Sequence, residues 1–143
     1  MRKENKVRLI KHITFLEKEL EDWQTFKSFS WEEYNKDRNK RRNIERWIEN
    51  IINSSIDIAK IILVSENISL PETYKEIVAS LPLIPRFDKE TVERLSEWVK
   101  LRNIISHEYL DVRWNSIKRF IEETEPLYWT LLEKVKIYIK EKI

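Results

Sequence analysis

Apolar side chains recur every three or four residues along most of this chain, which is the spacing of one face of an α-helix. The first stripe predicts a helix over about residues 4–27, and it consists of Leu9, Ile13, Leu16, Leu20 and Trp23. The capping-box pattern Ser30-Trp31-Glu32-Glu33 predicts the start of a second helix. That helix carries apolar residues from Ile44 to Ile62 and would be about 50 Å long if unbroken.

Three prolines in the middle of the chain, Pro71, Pro82 and Pro85, predict short secondary-structure elements there. Pro71 suits the first turn of a short helix that ends near Ala79. The segment Leu81-Pro82-Leu83-Ile84-Pro85 is expected to be extended, because each proline removes a backbone donor and restricts the residue before it. Asp88 is the predicted N-cap of the helix that follows.

The last part of the chain has a regular apolar spacing that predicts one more helix. Asp111 can start this helix, and Pro126 should kink or split it near Thr124. Its stripe comprises Trp114, Ile117, Ile121, Tyr128, Leu131, Val135 and Tyr138. Since no repeat or linker is visible, we expect residues 1–143 to form one all-α domain, an antiparallel bundle of four to five helices.

The composition agrees with helices and excludes several kinds of site. Glycine and cysteine are absent, and a β-sandwich or barrel would need more turn residues than this chain has. The absence of glycine excludes glycine-rich phosphate loops, and the absence of cysteine excludes disulfides, cysteine-ligated zinc and thiol catalysis. Because the longest aliphatic run is only Ile61 to Val64, we expect no membrane span, no signal peptide and a cytoplasmic protein.

One polar stretch, Arg102 to Tyr109, follows a helical stripe made of Val92, Leu95 and Val99. Continuing the same spacing places Arg102, Ser106 and Tyr109 where aliphatic side chains would be expected. A guanidinium facing a core is costly unless it is paired or meets a ligand or partner. This stretch is therefore the candidate site.

The residue types in this stretch can transfer a proton and bind an anionic group. His107 can exchange a proton near neutral pH, and Arg102 can grip phosphate oxygens in bidentate fashion. Asn103, four residues before His107, can hydrogen-bond the imidazole and fix its tautomer. Arg102 and His107 would lie about 140° apart on a regular helix. Either the helix bends or ends near Ser106, or two subunits pool their motifs.

The pattern Arg-x4-His-x-Tyr, with asparagine after the arginine, resembles the signature of the HEPN superfamily and, more closely, of the HepT-type toxins. The similarity runs from about Arg41 to about Leu131 and includes Leu70-Pro71-Glu72-Thr73-Tyr74, which is similar to a proline-glutamate-x-tyrosine link of that family. The resemblance implies the toxin of a type VII-like toxin–antitoxin module. Such a toxin would be a homodimer and a metal-independent endoribonuclease with Arg102 and His107 at a dimer cleft, leaving 2′,3′-cyclic phosphate ends.

The same resemblance implies a protein partner and no cofactor. The partner would be a cognate minimal nucleotidyltransferase, the antitoxin, which silences the toxin by attaching AMP to Tyr109. No cluster of His, Asp and Glu shows metal-ligand spacing, so no metal is expected. Three basic residues near the motif are candidates for binding RNA: Arg113, Lys118 and Arg119.

Each of these assignments has a plainer alternative. Arg102 and His107 can instead hold helix ends in a buried network of ion pairs and hydrogen bonds, and Tyr109 can be an ordinary core or interface aromatic. A non-catalytic helical module that binds a nucleotidyltransferase is the main alternative function, and a regulator that binds a small ligand is another. A second apolar surface, which a homodimer would bury, is predicted at Trp98, Ile105, Phe120 and Trp129.

Overall fold

The computed structural model describes residues 1–142, and every regular element within that range is helical. The all-α prediction is therefore confirmed. The α-helices are α1 (Lys3–Glu21), α2 (Trp23–Lys27), α3 (Trp31–Lys36), α4 (Arg38–Ser65), α5 (Tyr74–Ala79), α6 (Lys89–Glu97), α7 (Leu101–His107), α8 (Leu110–Glu123) and α9 (Glu125–Glu141). Short 3-10 helices at Leu81–Leu83 and Trp98–Lys100 complete the elements.

The two long N-terminal helices predicted from the sequence are each broken once. The predicted helix over residues 4–27 stops at Glu21, and a separate turn begins at Trp23. The capping box at Ser30 is present, but it starts only the six-residue α3. Asp37 then takes an extended conformation, and its carboxylate accepts the backbone N–H groups of Asn39 and Lys40. This cap starts α4, so the unbroken 50 Å helix was a wrong prediction.

The proline segments also differ in part from the prediction. Pro71 precedes α5, which begins at Tyr74 because the Thr73 hydroxyl accepts the N–H of Glu76. Leu81–Leu83 forms a 3-10 turn instead of an extended segment, since Pro82 lies in the first turn, where no N–H is needed. The predicted cap at Asp88 is confirmed by its bond to the N–H of Thr91.

The final predicted helix is split where proline indicated. α8 ends at Glu123 and α9 begins at Glu125, with Pro126 in the first turn of α9. The Thr124 hydroxyl, between them, donates to the carbonyl of Phe120. α8 begins at Leu110, one residue before the predicted Asp111. These features confirm a break at Thr124 and a start within one residue of the expected position.

The bundle is built around α4, which packs against α1, α3, α5 and α7. α9 covers the other side of α1 and packs on α6. Buried indoles join the helices, because Trp23 donates to the carbonyl of Ile121 and Trp47 donates to that of Glu19. Phe120 lies among these rings, 5.6 Å from Trp23 between ring centroids.

Two of the four residues that were predicted to form a second apolar surface belong instead to this core. Phe120 and Ile105 are buried within the chain, so they are not available to a second subunit. Trp98 is partly buried and Trp129 is exposed. The predicted dimer surface is thus wrong for two of its four residues, because their helices turn those side chains inward.

Candidate functional site

The candidate motif occupies α7, which follows a change in helix type. α6 ends at Glu97, and the 3-10 turn Trp98–Lys100 separates it from α7. A 3-10 turn winds more tightly than an α-helix, so the residues after it are rotated relative to the stripe of α6. Leu101 and Ile105 become the buried positions of α7. Ser106 and Tyr109 are exposed and Arg102 is only partly buried, so the predicted core-facing polar stripe was wrong.

Arg102 lies against an aromatic ring from another helix. Its guanidinium carbon is 5.0 Å from the ring centroid of Tyr74, the first residue of α5. The ammonium of Lys60, on α4, lies 4.8 Å from the same centroid. These side chains line a cavity of about 200 Å³ together with Asn53, Ile56 and Asp57. Lys60 was not singled out in the sequence, and Tyr74 was noted only as part of the segment Leu70-Pro71-Glu72-Thr73-Tyr74, because only the fold brings both residues to Arg102.

His107 is the last residue of α7 and is exposed. The helix is regular up to it, since the N–H of Glu108 bonds the carbonyl of Ile104 at 3.0 Å. The Ser106 hydroxyl likewise donates to the carbonyl of Arg102. Because α7 does not bend before His107, the Arg102 and His107 side chains leave the helix about 140° apart. One subunit therefore does not aim both side chains at one point.

The surroundings of the motif differ from a buried polar network. Within residues 1–142, neither Arg102 nor His107 takes part in an ion pair. Asn103 is exposed, and its side chain makes no hydrogen bond to His107 in the part of the chain described. The motif side chains thus remain open to a ligand or partner.

Tyr109 stands at the start of α8 with 85% of its surface exposed. It occupies the N-cap position in an extended conformation, and its side chain makes no capping hydrogen bond. An ordinary core role is therefore excluded, and the phenol is accessible to another protein.

Arg113, one of the three predicted RNA-binding residues, is engaged inside the protein. Its guanidinium lies 3.3 Å from the Glu45 carboxylate, and its Nε donates to the carbonyl of Glu108 at 2.7 Å. The buried Tyr34 hydroxyl donates to the same carboxylate. Burial, reinforced by Glu45, raises the pKa of Tyr34 far above its usual range. This network fastens α8 to α3 and α4.

The other two predicted RNA-binding residues lie on the outside of α8. Lys118 is exposed. Arg119 is also exposed, bonds Glu123 at 3.0 Å, and lies 5.5 Å from the ring centroid of Trp98. Arg119 and Trp98 line a larger cavity, of about 560 Å³, between α8 and α7, together with Lys100 and Ile104. Their geometry allows contact with an external ligand.

Two other features bear on the site. Among residues 1–142 no group of three or more His, Cys, Asp or Glu is placed to hold a metal ion. No helix described here is both long enough and apolar enough to cross a membrane.

The chain is similar to a protein family in sequence and to solved structures in fold. The family described as "Ribonuclease HepT-like" matches residues 16–135. Five solved chains resemble the structure, among them the tri-AMPylated Shewanella oneidensis HEPN toxin in complex with MNT antitoxin. That chain is 16% identical, with a TM-score of 0.77 over 90% of this chain and 96% of its own. No curated protein matches the sequence.

Proposed function

Because this chain belongs to the ribonuclease HepT-like family, we propose that it is a metal-independent endoribonuclease and the toxin of a toxin–antitoxin pair. The observation that carries the proposal is the extent of the family match, residues 16–135, which includes all of α7 and α8. The likeness to the HEPN toxin supports the fold. The exposure of His107 and the unpaired state of Arg102 within the described chain support the site.

The proposed chemistry is transesterification within RNA. A base takes the proton of a ribose 2′-hydroxyl, whose oxygen attacks the adjacent phosphorus. The bond to the 5′-oxygen breaks, and an acid returns a proton to that oxygen. His107 is assigned these proton transfers, and Arg102 stabilises the charge on the phosphate oxygens. The products are a 2′,3′-cyclic phosphate and a 5′-hydroxyl.

The geometry of α7 supports a homodimeric site. Arg102 and His107 leave one regular helix in different directions, and one imidazole does not serve as acid and base at once. A twofold axis near the exposed face of α7 would bring two copies of each side chain to one cleft. The separate acid and base then come from two subunits.

Tyr109 is the proposed acceptor of AMP from a cognate minimal nucleotidyltransferase. Its exposed phenol is suited to entering another enzyme's active site. The phenol oxygen would attack the α-phosphorus of ATP and release pyrophosphate. The Shewanella oneidensis HEPN toxin is itself AMPylated and bound to an MNT antitoxin. Attached AMP would place negative charge beside the motif and keep RNA out.

The test is cleavage of RNA by purified protein in excess EDTA. Wild type is compared with Arg102→Ala and His107→Ala, and Lys140→Ala serves as a matched surface control. We expect both motif variants to lose about 100-fold or more in rate while the control keeps full activity. Equal cleavage by all four proteins would overturn the assignment of the site. No cleavage by folded, unmodified wild type would favour the non-catalytic module that only binds a nucleotidyltransferase.

A further inference from the structure

Two cationic side chains from different helices converge on one aromatic ring beside the motif. The Nζ of Lys60 and the guanidinium carbon of Arg102 lie 4.8 Å and 5.0 Å from the ring centroid of Tyr74. Tyr74 is fixed at the start of α5, where the Thr73 hydroxyl caps the helix. The ring thus holds a lysine of α4 and an arginine of α7 at one place, although each contact alone is weak.

These two cations have no anionic partner in residues 1–142. Nine ion pairs occur within that range, and none includes Lys60 or Arg102. Asp57 lines the same cavity but lies beyond ion-pair distance from both. Both cations are partly buried, which weakens the screening of their mutual repulsion by water. An anion in the cavity that both side chains line would offset their charge.

The cavity that they line suits a phosphate group. Its volume of about 200 Å³ is small, and its lining includes the amide of Asn53 and the carboxylate of Asp57 besides the two cations, so the charged side chains that line it carry a net positive charge. It opens on one side toward Lys75, Lys100 and Asn103 of a second cavity. On the other side, a groove between α1 and α4 shares Asn53 and Asp57 with it, and that groove is further lined by Arg8, Lys11, His12 and Phe15. Basic side chains thus extend to both sides of the cavity and an aromatic one, Phe15, to one side, a combination typical of grooves that bind single-stranded nucleic acid.

We propose that Lys60 and Arg102 form a subsite for a backbone phosphate of the RNA, with Tyr74 as the positioning residue that holds both. Lys60 contacts the phosphodiester directly and adds a second charge to the arginine of the motif. The nature of the ligand rests on the proposed function, whereas the anion site rests on the geometry alone.

Binding of an RNA that does not react tests the subsite without relying on cleavage. A fluorescent oligonucleotide with a 2′-O-methyl group at every ribose lacks the attacking hydroxyl, and its anisotropy is followed between 50 mM and 200 mM salt. Lys60→Met is compared with Lys140→Met, an exposed lysine outside the cavity. We expect Lys60→Met to reduce the slope of log K against log salt by about 0.7, which makes binding about eightfold weaker at 50 mM salt. Lys140→Met should leave both values unchanged, and equal values for the two variants would overturn the subsite.

Three further variants distinguish the loss of the charge or of the ring from a general loss of folding. Lys60→Arg keeps the charge and should restore the salt slope, whereas Tyr74→Leu removes the ring and should weaken binding while Tyr74→Phe preserves it. Weak binding by Tyr74→Phe equal to that of Tyr74→Leu would overturn the positioning role. A wild type that binds the oligonucleotide through Lys60 but cleaves no RNA would support the subsite and contradict the nuclease. Cleavage that requires Arg102, together with binding that is unchanged in Lys60→Met, would support the nuclease and contradict the subsite.

Discussion

The guanidinium of Arg113 lies 3.3 Å from the carboxylate of Glu45 and so joins α8 to α4 across 68 positions of sequence. The carboxylate also accepts a hydrogen bond from the Tyr34 hydroxyl, and the arginine also donates one to the carbonyl of Glu108. Glu108 and Tyr109 connect α7 to α8, so this contact fixes the end of the motif. Arg113 therefore positions part of the candidate site through its internal contacts, rather than by contacting a ligand.

Replacing Arg113 should therefore destabilise the protein. Arg113→Ala leaves a partly buried carboxylate without its cation, and we expect the free energy of unfolding to fall by about 2 kcal/mol. Arg119→Ala is the matched control on the same helix, because its ion pair with Glu123 is exposed. The control should lose less than about 0.5 kcal/mol. Urea unfolding of both variants measures the difference, and a loss no larger for Arg113→Ala than for Arg119→Ala would contradict the assignment.

Removing the hydroxyl of Tyr138 should stabilise the protein. This hydroxyl is buried and has no hydrogen-bond partner in the described chain, so Tyr138→Phe should raise the free energy of unfolding by about 1 kcal/mol. Tyr34→Phe is the contrasting variant, since it removes a bond to Glu45 and should destabilise. Urea unfolding at neutral pH compares them, and a loss of stability in Tyr138→Phe would count against the packing described.

The same tyrosine should make the protein less stable in alkali. Burial, followed by the charge of Glu66, raises the pKa of Tyr138 to about 12, whereas an unfolded tyrosine has a pKa of about 10. Because the folded pKa is raised, this contribution is fully present below about pH 10 and is lost as pH rises through 12. Tyr138→Phe should thus lose less stability than wild type between pH 9 and about pH 11. Parallel unfolding curves for the two proteins over that range would show that Tyr138 does not titrate as described.

The Asp88 cap of α6 should make the free energy of unfolding depend on pH in the acid range. Hydrogen bonds from Thr91 lower the pKa of Asp88, so its contribution is present above the unfolded pKa of about 3.9 and is lost as pH falls through the lower folded value. Asp88→Ala should lose about 1 kcal/mol at pH 7. Asp88→Asn keeps a capping oxygen without titrating, so it should change less with pH than wild type. Equal stability of Asp88→Ala and wild type at pH 7 would argue against a capping role.

Tyr109 should take up AMP from its cognate nucleotidyltransferase. Incubation with that enzyme, ATP and Mg²⁺ should add AMP to wild type and abolish RNA cleavage, and Tyr109→Phe should remain unmodified and active. Tyr74→Phe is the matched control, because Tyr74 is also exposed and near the motif. Intact mass and peptide mapping locate the modification. Unchanged modification of Tyr109→Phe would place the acceptor elsewhere.

Local signals in the sequence predicted much of this fold. The three-to-four spacing of apolar residues predicted helices, and the caps at Ser30 and Asp88 and the break at Thr124 followed from side chains within a few positions. Periodicity did not reveal the break at Asp37, because one capping carboxylate outweighs helical propensity on both sides.

The candidate site was harder to predict because its parts come from distant positions. The motif itself was visible as a run of polar residues, but the 3-10 turn before Leu101 rotates it away from the expected stripe. Lys60 and Tyr74 meet Arg102 only through the packing of α4, α5 and α7. Arg113 looked like a surface cation, because its partner Glu45 is 68 positions away.

The central claim is that His107 transfers protons while the 2′-hydroxyl of the RNA attacks the adjacent phosphorus, and that this reaction needs no metal ion. It is tested most directly by mapping the product ends after cleavage in EDTA, using one RNA and a copy with a single 2′-deoxyribose at the cleaved position. The account predicts 2′,3′-cyclic phosphate and 5′-hydroxyl ends from the first RNA, no cleavage at that position in the second, and neither product with His107→Ala. Cleavage at the deoxyribose, or ends that carry a 5′-phosphate, would contradict it.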